Sequence, residues 1–596
     1  MISRRNFFSI AAVMLVVLFM FQFTNTAMEI WNDYKENENA VDVLSLTARS
    51  GVFTPEDGLP WGTARSGVAC IGGSESRVAQ MTANWAAYTK RYFISAASLA
   101  DFAPGTEAPE LIVLDGARLD WSEAACQTLL DYAAQGASLV FATLPEVSVL
   151  QENQNLRDLL GIDEVRALRT RVQGLHLYKG FLLGGEAVYR VEKETDIWRQ
   201  DLALEMPWYV LGPGTKVYMK GIFEETAQSE DSPVVIWRRS LGGAYVFAVN
   251  GDYMEDATGL GLLSAMVSEI NECTVYPVVN AQSLILADYP SPALENGETL
   301  AQYYGRDMQG LYRDLLWPDV TAAYLRGELG LTCMMSVRFD YSNGRLPDRD
   351  QLAYYMKRIR ELGGELGLSL TSVSDTPVVE RISVDLEFMR QAGLEYTFTA
   401  LYGEERELDD ALNREGLSGV RTVVSPYDGG SDVVGYQSEW VTRQTAVADS
   451  FAHTYRSDFR VRSVETALAY TGVLAEVSRV AYPNGTEDTW NVLVHRLAAS
   501  LSSGWKCFEA FDAATVSQCD GRIRDFLALD YTCTREGDLV SIRHTGSGTV
   551  WFLLRASGRT VESVTGGSVR QVERGVYLIE AVENNVEAVL GSERPY

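Results

Sequence analysis

Four histidines, His176, His453, His495 and His544, stand in 596 residues, and no two share a local motif. Zinc hydrolases draw two or three imidazole ligands from close spacings, because neutral imidazole is the usual ligand of divalent transition metals. No such spacing occurs, so the sequence predicts neither a metal centre nor a cofactor. Carboxylates are left to do chemistry. Asp288 ends the apolar run Leu284-Ile285-Leu286-Ala287, and Asp340 follows Arg338-Phe339. Two carboxylates facing each other across a cleft have the chemistry of glycoside hydrolysis. His495, after Val492-Leu493-Val494, completes the predicted catalytic set of Asp288, Asp340 and His495. Asp252 and Glu255 are candidates for lining a binding site; the competing reading is that they cap a helix expected over 257–270. Trp317 is a candidate for sugar stacking, because CH-rich sugar faces pack on aromatic rings.

The elements that must position these residues alternate. From residue 66, short apolar runs over 67–72, 111–116 and 137–142 alternate with helix-like stretches over 76–90 and 120–136. Such alternation predicts a parallel, doubly wound sheet. Its later half, with 216–220, 234–237 and 244–250, reads as β-rich. Further strands are predicted at 284–290, 331–337, 365–370, 396–401, 419–424 and 491–494, with helices between. That alternation predicts a (β/α) barrel, whose sites lie at the strand C-termini. Beyond 523, apolar clusters between Gly-rich turns predict a small antiparallel β-sandwich.

Arg4 and Arg5 precede an apolar run from Phe7 to Phe23. A basic end before about 17 apolar residues predicts a membrane anchor with the bulk of the chain outside the cell. Trp31 and Tyr34 suit the outer interface. The formal charge of −29 excludes nucleic acid as a partner, since phosphate binding needs clustered Lys and Arg. A cationic glycan is electrostatically allowed. The seven cysteines are widely spaced with no Cys-x2-Cys, so neither a zinc knuckle nor a dense disulfide scaffold is expected. One bridge within 507–533 and buried free thiols both remain open.

Three resemblances extend this reading. The stretch 129–141, Leu-Leu-Asp-Tyr-Ala-Ala-Gln-Gly-Ala-Ser-Leu-Val-Phe, resembles the class I glutamine-amidotransferase-like fold over about 66–255. Active members present a cysteine in a Gly-flanked elbow after such a strand. Here the strand runs into Thr143-Leu144-Pro145-Glu146, and Cys70 stands after the wrong strand, so a non-catalytic domain is expected. The central order of elements resembles the NodB-type polysaccharide deacetylases. That resemblance places Asp288 on a metal-binding Asp, with Ala287 in place of the base. Ser369 and Val373 fall on the two histidine positions, and Gly364-Glu365-Leu366-Gly367 keeps the strand pattern. Ser425-Pro426-Tyr427-Asp428-Gly429 resembles the Arg-x-Pro-x-Gly stretch, and His495 the late histidine that acts as acid. Ser369 and Tyr427 join Asp252, Glu255 and Trp317 as predicted binding residues. The segments 250–256 and 313–319 resemble an uncharacterised family of membrane-anchored Gram-positive proteins of Pel-like exopolysaccharide clusters.

The expectation is an α/β chain: an amidotransferase-like doubly wound sheet, a degenerate (β/α) barrel of polysaccharide-deacetylase type, then a small β-sandwich. The predicted boundaries are 1–35 for the anchor, 36–65 for a tether, and 66–275, 280–515 and 523–592 for the three domains. The resemblances imply a membrane-anchored extracytoplasmic protein of exopolysaccharide biosynthesis or modification. Its barrel is expected to bind glycan or partner without catalysis. The alternatives are an active hydrolase or deacetylase with a non-standard site, and a scaffold of a membrane polysaccharide synthase complex. The implied partners are a polysaccharide, in particular a cationic amino-sugar polymer, the membrane, and synthase components.

Overall fold

The computed structural model describes residues 67–102, 109–191, 201–202, 204–223, 232–327, 329–414 and 416–593, with Met14. The expected anchor and tether lie outside the described residues. No helix among the described residues is long and apolar enough to cross a membrane.

The first domain opens with β1 (Gly67–Ile71), β2 (Tyr92–Ala96), β3 (Leu111–Asp115) and β4 (Ser138–Thr143). It continues with β5 (Ile162–Val172), β6 (Gly174–Leu177), β7 (Ala187–Arg190), β8 (Leu204–Leu211), β9 (Thr215–Ile222), β10 (Val234–Leu241) and β11 (Ala244–Val249). Nine of these form one sheet in the order β2-β1-β3-β4-β11-β10-β9-β6-β7. The β2-to-β11 half is parallel, and the half from β10 onward is antiparallel. Every residue of β3 and β4 is buried, as continuous apolar runs covered on both faces require. Val68 and Cys70 pack with the helices Arg77–Tyr88 and Thr258–Ile270, while Ala69 and Ile71 pack with the helix Glu123–Ala134. The parallel half is therefore doubly wound. Strands β5 and β8 pair as a separate ribbon.

After β12 (Thr274–Val278) the barrel begins. Its strands are β13 (Ala281–Ala287), β14 (Gly330–Met335), β15 (Glu365–Ser369), β16 (Ala400–Tyr402) and β17 (Thr422–Pro426), with β18 (Val434–Tyr436) hooked antiparallel at the side. They continue with β19 (Thr442–Ala446), β20 (Ala448–Asp449) and β21 (Tyr470–Glu476). Strand β19 pairs parallel with β17, and β20, one residue further on, pairs parallel with β21. The chain from Thr442 to Asp449 thus joins both ends of the sheet and closes it. Ile285, Ala287, Met334, Ala400, Tyr402, Val424, Ala446 and Leu474 form the lumen. Val516 enters from below: its N–H donates to Thr332 Oγ1 at 2.9 Å, and its carbonyl accepts from Gln444 Nε2 at 2.9 Å. The helix Val516–Ala528 therefore plugs the N-terminal end of the lumen.

The remaining strands are β22 (Tyr531–Glu536), β23 (Leu539–His544), β24 (Val550–Arg555), β25 (Arg559–Thr565), β26 (Gly567–Glu573), β27 (Val576–Ala581) and β28 (Asn585–Glu593). They form two four-stranded sheets, β22-β23-β28-β25 and β12-β24-β27-β26. The sandwich thus recruits β12 from between the two preceding domains, a strand that the reading of 523–592 did not include. Strand β12 carries Pro277, which an edge strand tolerates.

The first domain docks on the barrel through the helices Thr258–Ile270 and Tyr455–Leu468. Gly261 N–H donates to Ser463 Oγ at 2.9 Å, and a Cβ at Gly261 would stand 2.0 Å from the Ser463 carbonyl oxygen. Only glycine permits this approach.

Candidate functional site

The register of the barrel decides what faces its mouth. Partners across neighbouring strands share a face, and Ala287 pairs with Glu476, Ser369 with Tyr402, and Asp449 with Leu474. Ala287, Tyr402 and Leu474 line the lumen, so Glu476, Ser369 and Asp449 point inward as well.

Glu476 is the centre of this group. Its Oε1 accepts from Tyr402 Oη at 2.6 Å. Burial pushes its carboxyl above the usual range; Tyr402 opposes the shift, Asp288 and Asp449 add to it, and Arg479 opposes it. Asp449 is 40% exposed and lies 3.5 Å from the Arg479 guanidinium. Arg479 is shared with Asp488 at 3.3 Å. The site therefore offers one carboxyl inclined to hold its proton, a second carboxylate beside it, and a cation behind both.

Asp288 lies against this pair but is wholly buried. Its φ of 66° is left-handed, which Asp tolerates better than most residues. That turn breaks the strand alternation and brings the carboxyl to β15, where Oδ1 accepts from Ser369 Oγ at 2.6 Å. Oδ2 has no partner in hydrogen-bonding geometry, although Ser478 and Thr371 lie beside it. Burial raises its carboxyl, opposed by Ser369, Ser478 and Thr371. Asp288 therefore bears on Glu476 through its charge, and its side chain is closed off from solvent. Asp288, predicted as catalytic, and Ser369, predicted as binding, are thus hydrogen-bonded to each other, a contact the sequence did not predict.

The other predicted residues lie elsewhere. His495 does not end a strand. Residues 490–504 form a helix, with Trp490, Leu493 and Leu497 buried and His495 on the outer face. The end of the last barrel strand, where the resemblance places an acid, belongs to Glu476. Asp340 does not end the second barrel strand either, since β14 stops at Met335. Its carboxylate accepts from Ser342 N at 2.8 Å, Ser342 Oγ at 2.6 Å and Asn343 Nδ2 at 3.1 Å, and these bonds hold it below the usual range. It organises a loop. Asp252 is held by Arg456 at 2.8 and 3.1 Å, near the C-terminal end of β11 in the first sheet. Glu255 lies there too, raised by burial and by Asp252 and Asp115. Trp317 stacks on Tyr289, with centroids 6.0 Å apart, and meets Tyr355 edge-on, so its ring is occupied in packing. Tyr427 is covered by Arg460, whose guanidinium lies 3.8 Å from the ring centroid.

Among the described residues, no group of three or more His, Cys, Asp or Glu is placed to hold a metal ion. Cys70 is buried and pushed up to about 12, as an inert core thiol would be. Two surface depressions of about 530 and 520 Å³, near Trp121 and near Met356, share no residue with the mouth.

Residues 179–368 match a family model described as an uncharacterised protein conserved in bacteria, DUF2194. No curated protein matches the chain. Among solved structures, the chain is similar to the carbohydrate deacetylase Agd3 at 10% identity and a TM-score of 0.49, over 89% of this chain and 99% of that one. It is similar to a putative glycoside hydrolase/deacetylase from Parabacteroides distasonis at 12% identity and a TM-score of 0.27, over 47% and 82%. It is also similar to the exo-β-1,4-mannosidase Op5Man5 from Opitutaceae bacterium strain TAV5 at 11% identity and a TM-score of 0.21, over 35% and 34%. None of these likenesses reaches a TM-score of 0.5, and the account of the mouth stands on its own residues.

Proposed function

We propose that this protein acts on a polysaccharide outside the cell, seating a sugar unit in the acidic mouth of its barrel. The observation that carries the proposal is Glu476, raised by burial and held by Tyr402, with Asp449 on the neighbouring strand in register with Leu474, two residues before Glu476. Two carboxyls in unlike environments divide the roles of acid and partner carboxylate in glycosidic bond cleavage. Glu476 gives its proton to the leaving glycosidic oxygen as its bond to the anomeric carbon breaks, while water attacks that carbon and gives its proton to the Asp449 carboxylate. Asp288, behind Glu476, favours the protonated form of that acid. Arg479 orients Asp449. An acidic mouth also favours a cationic amino sugar over an anionic one.

A second reading keeps the mouth as a platform that holds glycan without cleaving it, or that docks a polysaccharide synthase component. The complete burial of Asp288 favours it, because the acid that the deacetylase resemblance places at the metal is closed off from solvent. In both readings residues 1–35 anchor the chain in the membrane, with the domains outside. The acidic charge of −29 supports an exposed, soluble ectodomain.

The experiment is a turnover assay on a panel of hexosamine and neutral polysaccharides, reading new reducing ends and released acetate. Glu476→Gln is expected to lower reducing-end release at least ~100-fold, the usual range for a lost general acid. Binding without turnover selects the platform reading. Turnover that survives in Glu476→Gln removes the assigned acid.

A further inference from the structure

The β-sandwich closes along one open side, where the edge strand β12 of one sheet lies against the edge strand β22 of the other. Tyr531 Oη donates to the Val275 carbonyl at 2.9 Å, and Arg535 pairs with Glu272 at 3.1 Å. Between these two contacts stand Cys533 on β22 and Cys273 immediately before β12. Strand alternation aims both sulfurs inward. Val275 belongs to the sandwich core and Cys273 packs on it, whereas Tyr276 faces the other way into the main core. On β22, Tyr531 packs on that core and meets Phe552 with ring centroids 5.4 Å apart, so Cys533, two residues on, shares its face. Both thiols are free in this structure. Cys533 is exposed along the open edge, yet crowding around its sulfur and the neighbouring Cys273 push the thiol up to about 12.

We propose that Cys273 and Cys533 are joined by a disulfide in the mature protein, clipping the two sheets together at their open edge. Two cysteines facing one another across the open edge, between the Tyr531–Val275 and Arg535–Glu272 contacts, are placed for an inter-sheet bridge. The closed loop would contain the entire barrel, residues 281–516, so the mouth sits inside a covalent ring that ends in the sandwich. Long loops are where a crosslink restricts the unfolded chain most.

The oxidant is a thiol–disulfide oxidoreductase of the extracytoplasmic space, and this placement rests on the extracytoplasmic reading above. The Cys273 thiolate attacks the oxidoreductase disulfide, whose S–S bond breaks as a mixed disulfide forms. The Cys533 thiolate then attacks Cys273 Sγ and displaces the second sulfur of the oxidoreductase. Two electrons pass to the oxidoreductase, and the two protons from the cysteines end on its two thiols. A thiol raised by burial is a poor nucleophile on its own, so the bridge depends on this catalyst rather than on dissolved oxygen.

The test uses the full chain in a Cys507→Ser background, which removes an exposed thiol. Protein isolated from the cell surface is alkylated without reductant, digested and mapped by mass spectrometry. The expected result is one linked peptide pair carrying Cys273 and Cys533. In parallel, purified protein is equilibrated with mixed oxidised and reduced glutathione. Reductant is expected to lower the Tm of the bridged protein and leave that of Cys533→Ser unchanged. Alkylated Cys273 and Cys533 after glutathione equilibration would overturn the proposed geometry. A bridge seen only in glutathione would overturn the proposal for the cell, and would leave the barrel-mouth reading to be judged on turnover alone.

Discussion

Glu476 is raised because it is buried between Tyr402 and two other carboxylates, and that position sets the pH dependence of the chemistry. An acid must be protonated to act, so turnover is expected to fall as pH rises through the Glu476 value. The midpoint of that alkaline limb lies above the ordinary glutamate range. Asp449→Asn removes a neighbouring negative charge and is expected to move the midpoint down, read from the pH profile of kcat/KM. Asp340→Ala, by contrast, breaks only a loop turn and is expected to change kcat/KM by less than about threefold, a change of roughly 0.6 kcal/mol. The sequence made Asp288 legible because an apolar run ending in an acid is the mark of a barrel strand. Leu474-Ala475-Glu476 carries the same mark, but it lies between 424 and 491, where the sequence predicts no strand. The four residues before His495 look like a strand in isolation. The spacing of Trp490, Leu493 and Leu497 is helical, and a wider window shows it.

Elements were easier to read than their joints. The apolar runs of β1, β3, β4, β13, β14 and β15 announce themselves, because strands buried on both faces cannot alternate. The barrel closure at Thr442–Asp449 did not, since those residues are mostly polar: Thr442 and Gln444 face the plug helix and pair with Asp520 and with Thr422. Nor could the seam of the helices Thr258–Ile270 and Tyr455–Leu468 be foreseen. Two glycines in a helix read as weakness until Ser463 is seen against one of them. Gly261→Leu must push the helices apart, and is expected to destabilise the protein by about 3 kcal/mol or more, measured by denaturant unfolding. Gly297→Ala, with open space at its Cβ, is the control and is expected to be near neutral.

Across the whole molecule, the domains share one core rather than standing as beads. Strand β12 belongs to the sandwich, yet it links the first domain to the barrel, so neither end of the chain is independent of the middle. Glu465, at the junction of the barrel base and the first domain, is wholly buried and accepts from Gln282 Nε2 at 2.7 Å. Burial raises its carboxyl from the usual 4.5 to about 8. The folded state therefore holds a proton that the unfolded chain releases above about 4.5. The stability this contributes is fully present below that value and is lost as pH rises through about 8. Glu465→Gln is expected to abolish the loss. The variant should match the wild type in unfolding free energy near pH 4 and exceed it at pH 8–9 by on the order of a few kcal/mol, at roughly 1.36 kcal/mol per pK unit, measured by denaturant unfolding.

The central claim is that a sugar unit sits in the barrel mouth between Glu476 and Asp449. Calorimetric titration of neutral, N-acetylated and free-amine hexosamine oligosaccharides into the full chain and into the Glu476→Gln/Asp449→Asn double variant tests it most directly. The account predicts binding by the wild type, tightest for the free amine. It predicts affinity at least ~10-fold weaker in the double variant, about 1.4 kcal/mol. Equal affinity in the two proteins would contradict it.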